Sequence, residues 1–102
     1  MSAEAVRRTP PTLERAVVVL RGMAYEHRLH ILLLLRAGEK TPADLAALIG
    51  ADATAVAHHL RYLKDARLIR RQRRGRHVYY SLHSEATRQL VADVLRYAGD
   101  PT

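Results

Sequence analysis

Residues 41–82 read TPADLAALIG ADATAVAHHL RYLKDARLIR RQRRGRHVYY SL. The pattern predicts a short helix, a three-residue turn, a second helix and then a strongly basic β-hairpin. Thr41 suits the N-cap of the first helix, with Pro42 at its first position and Asp44 closing a capping box. Leu45, Leu48 and Ile49 fall on one face at i, i+3, i+4, and Gly50 supplies the C-terminal stop. Asp52 then caps the second helix after the turn Gly50-Ala51-Asp52. This is the grammar of a helix-turn-helix, whose second helix is offered to the DNA major groove.

The wheel of that second helix agrees. Val56, Leu60 and Leu63 make an apolar stripe at i, i+4, i+7. Roughly opposite stand Thr54, His58, Arg61 and Asp65, with Ala53 and Ala57 small enough to admit another surface. An ordinary solvated face is the plain alternative, but the basic hairpin next in the chain weighs against it. Two β-compatible runs flank a turn at Arg74-Gly75, where glycine supplies the positive φ of a tight hairpin. Val78, Tyr80 and Leu82 alternate with His77, Tyr79 and Ser81, which predicts one buried and one free strand face. From Arg61 to His77 the cations are Arg61, Lys64, Arg67, Arg70, Arg71, Arg73, Arg74 and Arg76, against the single acid Asp65. Cations this dense repel one another unless an anion is near, and backbone phosphate supplies it.

This order of helix, turn, helix and arginine-rich hairpin, in GADATAVAHHLRYLKDARLIRRQRRGRHVYYSL, resembles the ArsR/SmtB family of winged-helix regulators. Upstream, Arg28-Leu29 and Ile31-Leu32 within Leu20–Leu32 fit the same family, so the resemblance spans about residues 13 to 98. It implies a mainly α winged helix-turn-helix of five helices and one hairpin, assembled as a homodimer. The implied function is sequence-specific transcriptional regulation, chiefly repression by occupying a promoter at a short inverted repeat, with activation left open. On that basis the expected DNA-binding residues are Ala53, Thr54, Ala57, His58, Arg61, Arg71, Arg73, Arg74, Arg76, His77 and Tyr79. Thr54, Ala57, His58 and Arg61 are assigned to base choice, and the hairpin arginines to phosphates or the minor groove.

Composition sets the bounds. A chain of 102 residues forms one domain that buries about two-thirds of its unfolded surface. A net charge of +7 favours a polyanionic partner. No apolar run approaches the ~18 residues of a membrane span, and Met1 to Arg8 lead into Thr9-Pro10-Pro11 rather than an apolar signal core. Cysteine is absent, which removes disulfides, thiolate metal sites and cysteine nucleophiles together. The expected setting is cytoplasmic.

The remaining segments divide into an arm over residues 1–11, the domain over 12–98 and a short tail over 99–102. Arg7 and Arg8 of the arm are either further phosphate contacts or without a role. Thr12 suits the cap of a first helix whose apolar positions Leu13, Val17, Leu20 and Ala24 follow i, i+4, i+7, i+11, with Val18 and Val19 off the stripe. The next helix, Glu26 to Ala37, carries Ile31-Leu32-Leu33-Leu34-Leu35 and should be covered on all sides. A last helix, Glu85 to Ala98 with Ser84 as cap, shows Ala86, Leu90, Val94 and Ala98 in one row, widened by Val91 and Leu95. The dimer interface is therefore expected at Leu13, Val17, Val18, Leu20, Leu90, Val91, Val94 and Leu95. Gly99-Asp100-Pro101-Thr102 leaves no room for a sensing tail.

No cofactor is expected, and nickel or zinc is the open alternative. Metal-sensing members of the resembled family place ligands on the last helix, at positions that hold Ser84, Ala86, Tyr97 and Asp100 here, of which only Asp100 ligates. The family's cysteine site beside the helix-turn-helix has no counterpart at Thr41 or Pro42. His83 and Glu85 leave a rearranged site open. His27 and His30, at i, i+3, are half of a zinc or nickel site or else packing histidines. His58 and His59 point about 100° apart and do not share a metal easily. No phosphate loop, nucleophile elbow or His-Glu-x-x-His motif appears, so an enzyme is not expected. Two alternatives stand beside the regulator: a metal-responsive regulator with a non-standard histidine site, and a winged-helix protein-interaction module.

Overall fold

The computed structural model describes residues 10–99. In chain order it holds α1 (Pro11–Met23), α2 (Glu26–Leu35), α3 (Pro42–Ile49), α4 (Ala53–Asp65), β1 (Ile69–Arg74), β2 (His77–Leu82) and α5 (Glu85–Tyr97). The sheet among the described residues is the antiparallel β1–β2 hairpin. Residues 1–9, with Arg7 and Arg8, and residues 100–102, with Asp100, lie outside the described residues.

The helix-turn-helix forms as its caps dictate. The Thr41 hydroxyl accepts from the Asp44 N–H at 3.1 Å, and the Asp44 carboxylate accepts from the Thr41 N–H at 3.1 Å. These bonds hold the Asp44 carboxyl below its ordinary pKa, the Thr41 backbone N–H contributing most. Gly50 ends α3 in the left-handed conformation, φ 70°. Asp52 then accepts from the Ala55 N–H at 2.8 Å and starts α4. α4 ends in a Schellman turn, in which Leu68 N–H bonds the Leu63 carbonyl and Arg67 N–H that of Lys64. Arg67 holds the left-handed position at φ 60°, which usually falls to glycine, and the sequence carried no sign of it.

The core lies where α2, α3, α4 and the hairpin base meet. Ile31, Leu32 and Leu35 of α2, Leu45 of α3, Val56, Leu60 and Leu63 of α4, and Ile69 of β1 are fully buried, joined by Val91 of α5. The stripe predicted for α4 is thus its buried face. On α3, Leu45 is buried and Ile49 half-buried, but Leu48 is 52% exposed and does not share their environment.

Several expectations are corrected. Thr12 does not cap α1: Pro10 is the N-cap, without a side-chain bond, and Pro11 takes the first turn, where its fixed φ fits and its missing N–H costs nothing. The α1 stripe, expected at a dimer interface, does face away from the core of the chain, with Leu13, Val17, Leu20 and Ala24 exposed, and Gly22 and Met23 are the residues buried. Close approach explains the choice, since a Cβ at Gly22 would sit 2.9 Å from Leu68 Cδ1 and 3.4 Å from Ala66 Cβ. α2 stops at Leu35, not Ala37, because Arg36, Ala37 and Gly38 bond three residues back in tightened turns. Nor is α2 covered on all sides, since Leu33 is 36% exposed. Arg74 closes the ladder opposite His77, so the hairpin loop is Gly75-Arg76, one residue later than expected. On β2 only Leu82 is buried; Val78 and Tyr80 are half-buried. Val91 belongs to the core of its own chain and is not available to a partner.

A buried cation ties three helices together. Arg28 is 5% exposed, with its guanidinium 4.5 Å from the Tyr25 ring and 3.9 Å from the Tyr62 ring of α4. It donates to the Arg21 carbonyl of α1 at 3.1 Å. The two ring faces supply the electrostatic compensation that an acid otherwise would.

The burial pattern of α3 predicts unequal costs on truncation. Leu45→Ala should lose about 2–5 kcal/mol by leaving a cavity, and Leu48→Ala less than about 0.5 kcal/mol. Urea unfolding of both variants measures this, and equal losses would contradict the packing described.

Candidate nucleic-acid interface

The inward pull on Val56, Leu60 and Leu63 turns the opposite face of α4 to solvent. Ala53, Thr54, Ala57, His58 and Arg61 are all on it and all exposed, as the wheel predicts. The N-terminal half of this face is small and uncharged, whereas cations begin at Arg61.

The hairpin register sorts the arginines by face. Cross-strand partners lie on one side of a hairpin, and the pairs are Ile69–Leu82, Arg71–Tyr80 and Arg73–Val78 on one side, and Arg70–Ser81, Gln72–Tyr79 and Arg74–His77 on the other. Ile69 and Leu82 plug the first side into the core. Farther out, Arg71 and Tyr80 share a cleft of about 380 Å³ with Ala57, Arg61 and Lys64 of α4. The outer face of α4 and the hairpin therefore present one continuous surface. Tyr80 is braced to the α2–α3 loop by two hydrogen bonds with Lys40, at 3.0 and 2.8 Å.

The cations are not equivalent. Arg74 ion-pairs with Glu39 and lies 4.0 Å over the Tyr79 ring, so these expected DNA-binding residues engage each other on the side away from the cleft. Arg70 donates to the His83 carbonyl. By contrast Arg61, Lys64, Arg71, Arg73 and Arg76 make no side-chain hydrogen bond or ion pair among the described residues. His77 is exposed at the hairpin tip, its ring 6.3 Å from that of Tyr79. Sequence reasoning left out Lys64, although its i, i+3 spacing from Arg61 was a sign, and Glu39, whose contact spans 35 residues and leaves none.

The histidines separate rather than converge. His27 of α2 packs its ring edge-on to His59 of α4, centroids 5.6 Å apart, while His30 opens on a shallow cleft with Leu29, Leu33 and Leu95. The His58 ring is 5.9 Å from His59. Burial, reinforced by Arg28, His27 and His58, pushes the His59 pKa down. Its Nδ1 is buried without a partner. Of the positions corresponding to interfacial metal ligands, the three among the described residues do not fit a metal ion. The Ser84 hydroxyl caps α5 by accepting from the Thr87 N–H, Ala86 has no donor, and Tyr97 is 96% exposed. Glu85 reaches Arg88 at 3.5 Å. Among the described residues no group of three or more His, Cys, Asp or Glu side chains is placed to hold a metal.

The family model described as bacterial regulatory protein, arsR family, matches residues 26–71. The HTH-type transcriptional regulator KmtR of Mycobacterium tuberculosis is 38% identical over 79 residues, which are 78% of this chain and 61% of KmtR. The chain thus spans less than two thirds of that relative's length. The HTH-type transcriptional regulator YgaV of Escherichia coli is 34% identical over 80 residues, 78% of this chain and 81% of YgaV. Among solved structures, the homodimeric winged helix-turn-helix DNA-binding domain Mb0332 from Mycobacterium bovis superposes with a TM-score of 0.83 at 28% identity, covering 99% of this chain and 89% of that one.

The position of His59 predicts a pH dependence of stability. Its folded pKa lies below its unfolded value of about 6.5. The stabilisation is therefore complete above about pH 6.5 and is lost as pH falls through the lowered folded value. In His59→Gln the fall of unfolding free energy across that window should be shallower, measured by urea titration at successive pH values. An unchanged slope would refute the assignment.

Proposed function

The chain belongs to the bacterial ArsR family of regulatory proteins, and from that premise we propose that it is a dimeric, sequence-specific DNA-binding transcriptional regulator. In this reading it acts in the cytoplasm as a repressor, occupying a promoter at a short inverted repeat, and catalyses no reaction. One observation carries it: Ala57, Arg61 and Lys64 on the exposed side of α4 line a single cleft with Arg71 of the hairpin, and none of these three cations has an internal ion-pair partner. α4 enters the major groove with Ala53, Thr54, Ala57 and His58 toward base edges, while Arg71, Arg73 and Arg76 meet the backbone. No helix among the described residues is long and apolar enough to cross a membrane.

Dimerisation follows from the apolar surface that one chain leaves uncovered. Leu13, Val17, Val18 and Leu20 stand 53%, 37%, 43% and 60% exposed along α1. Leu90, Val94 and Leu95 are half-buried on α5. Apolar surface of this extent is covered by a second copy, whose α4 then reads the second half-site. The proposal does not rest on a zinc or nickel ion, since Ser84, Ala86 and Tyr97 stand at three of the interfacial ligand positions.

Binding sites selected from genomic fragments test the reading directly, and failure to enrich any sequence would refute it. Within it, Leu20→Glu places a charge on a side chain already exposed, so the protomer should fold normally. It should sediment as a monomer at micromolar concentration and bind the selected site about 10²-fold more weakly, having lost the second half-site. A wild-type monomer, or a variant that remains dimeric, would contradict the interface.

His58→Ala should narrow the gap between the selected site and mixed-sequence DNA, whereas Arg73→Ala should weaken both alike. Titration of each variant against both duplexes distinguishes the two roles, and a shared pattern would show that the division is wrong.

A further inference from the structure

The cleft between α4 and the hairpin collects cations from two elements. Arg61 and Lys64, one turn apart, approach it from the second half of α4, and Arg71 approaches from β1. Arg71 sits opposite Tyr80, whose backbone is bonded on its other edge to Lys40, so the platform beneath it is braced on both sides. One acid, Asp65, lines the same cleft, yet it ion-pairs with none of the three cations. Three cations thus converge against one acid that pairs with none of them.

We propose that this cleft seats one backbone phosphate of duplex DNA, held by Arg61, Lys64 and Arg71. The inference rests on the DNA-binding function proposed above, and it moves Arg61 from base choice to backbone anchoring. Position along the helix is the reason. Recognition helices reach base edges with their N-terminal residues, which here are Ala53, Thr54 and Ala57. Arg61 and Lys64 lie beyond that half, beside the hairpin, where the strand bordering the groove passes. The cleft is open on one side and offers no buried donors, so a free oxyanion would stay hydrated. A phosphate within a polyanion binds because several contacts release condensed counterions together. The cation from β1 and those from α4 also fix the angle between the groove-reading helix and the hairpin at one shared atom group.

The test is DNA titration by the full chain across a range of salt, using a selected duplex and a mixed-sequence duplex. Lys64→Gln, Arg71→Gln and Arg61→Gln should each weaken both duplexes by the same factor. Each should also flatten the plot of log K against log salt by about 0.9 for every phosphate that is no longer neutralised. Asp65→Asn should strengthen binding to both, an effect that misfolding cannot produce. Arg96→Gln, which removes the same formal charge from a residue paired with Asp93 on α5, should leave the slope unchanged. Unchanged slopes in the cleft variants, or an Arg61→Gln that weakens only the selected duplex, would overturn the seat while leaving the DNA-binding function intact. Wild-type protein that binds neither duplex would refute both. Inorganic phosphate that saturates the cleft well below millimolar concentration, followed by amide shifts in NMR, would assign the seat to a soluble oxyanion instead.

Discussion

The pose of α4 depends on three buried side chains. Val56, Leu60 and Leu63 sit at 0–1% exposure among Ile31, Leu32, Leu35 and Leu45, each contributing about 1.5–3 kcal/mol by leaving water. No rotation of the helix keeps all three covered except the one observed. The direction of the opposite face, with Thr54, Ala57 and His58, follows from that packing. Tyr62 strengthens the lock by capping the Arg28 guanidinium, which also holds the Arg21 carbonyl of α1. α4 is thus fixed against two other helices before any partner arrives.

Electrostatics add a second division. The chain carries a formal charge of +7, but its cations are not interchangeable. Arg28 is engaged by aromatic faces, Arg74 by Glu39 and Tyr79, and Arg70 and Arg88 by backbone carbonyls. Of those without an internal side-chain partner among the described residues, Arg61, Lys64, Arg71, Arg73 and Arg76 gather on the second half of α4 and the hairpin, while Arg21, Arg36, Lys40 and Arg67 lie outside these two elements. Uncompensated like charges in one region raise the energy of the free protein, and a polyanion relieves it. The surface ion pair of Arg74 contributes little stability in itself, being exposed on both sides. Its effect is to anchor the hairpin to the α2–α3 loop beside the Lys40–Tyr80 bridge.

α1 illustrates a different balance. Its glycine admits Ala66 and Leu68 closely, so Gly22 and Met23 turn inward and the larger residues Leu13, Val17 and Leu20 turn outward. A helix that leaves its bulkiest side chains in water is poorly used within one chain. The same arrangement suits a helix shared between two copies, with the half-buried row on α5 beside it.

Much of this was written in local sequence. The capping box Thr41–Asp44, the Asp52 cap, the Gly50 stop and the apolar stripe of α4 each depend on residues a few positions apart, and all of them form; the hairpin forms too, but without the expected alternation of burial on β2. Such signals are legible because caps, helical periodicity and strand alternation are short-range physics. The resemblance carried by the same residues added the family, and with it the expectation of a DNA-reading helix. The features that the sequence left undecided depend on contacts between distant residues. The inward side of α1 is set by a glycine against Leu68, the retention of Val91 by the core rather than a partner is set by packing, and the engagement of Arg74 is set by Glu39, 35 residues away. An arginine looks the same in a sequence whether an acid, an aromatic ring or nothing lies beside it. Only the tertiary structure decides which cations the protein has already neutralised and which remain for a partner, because charge compensation acts through space.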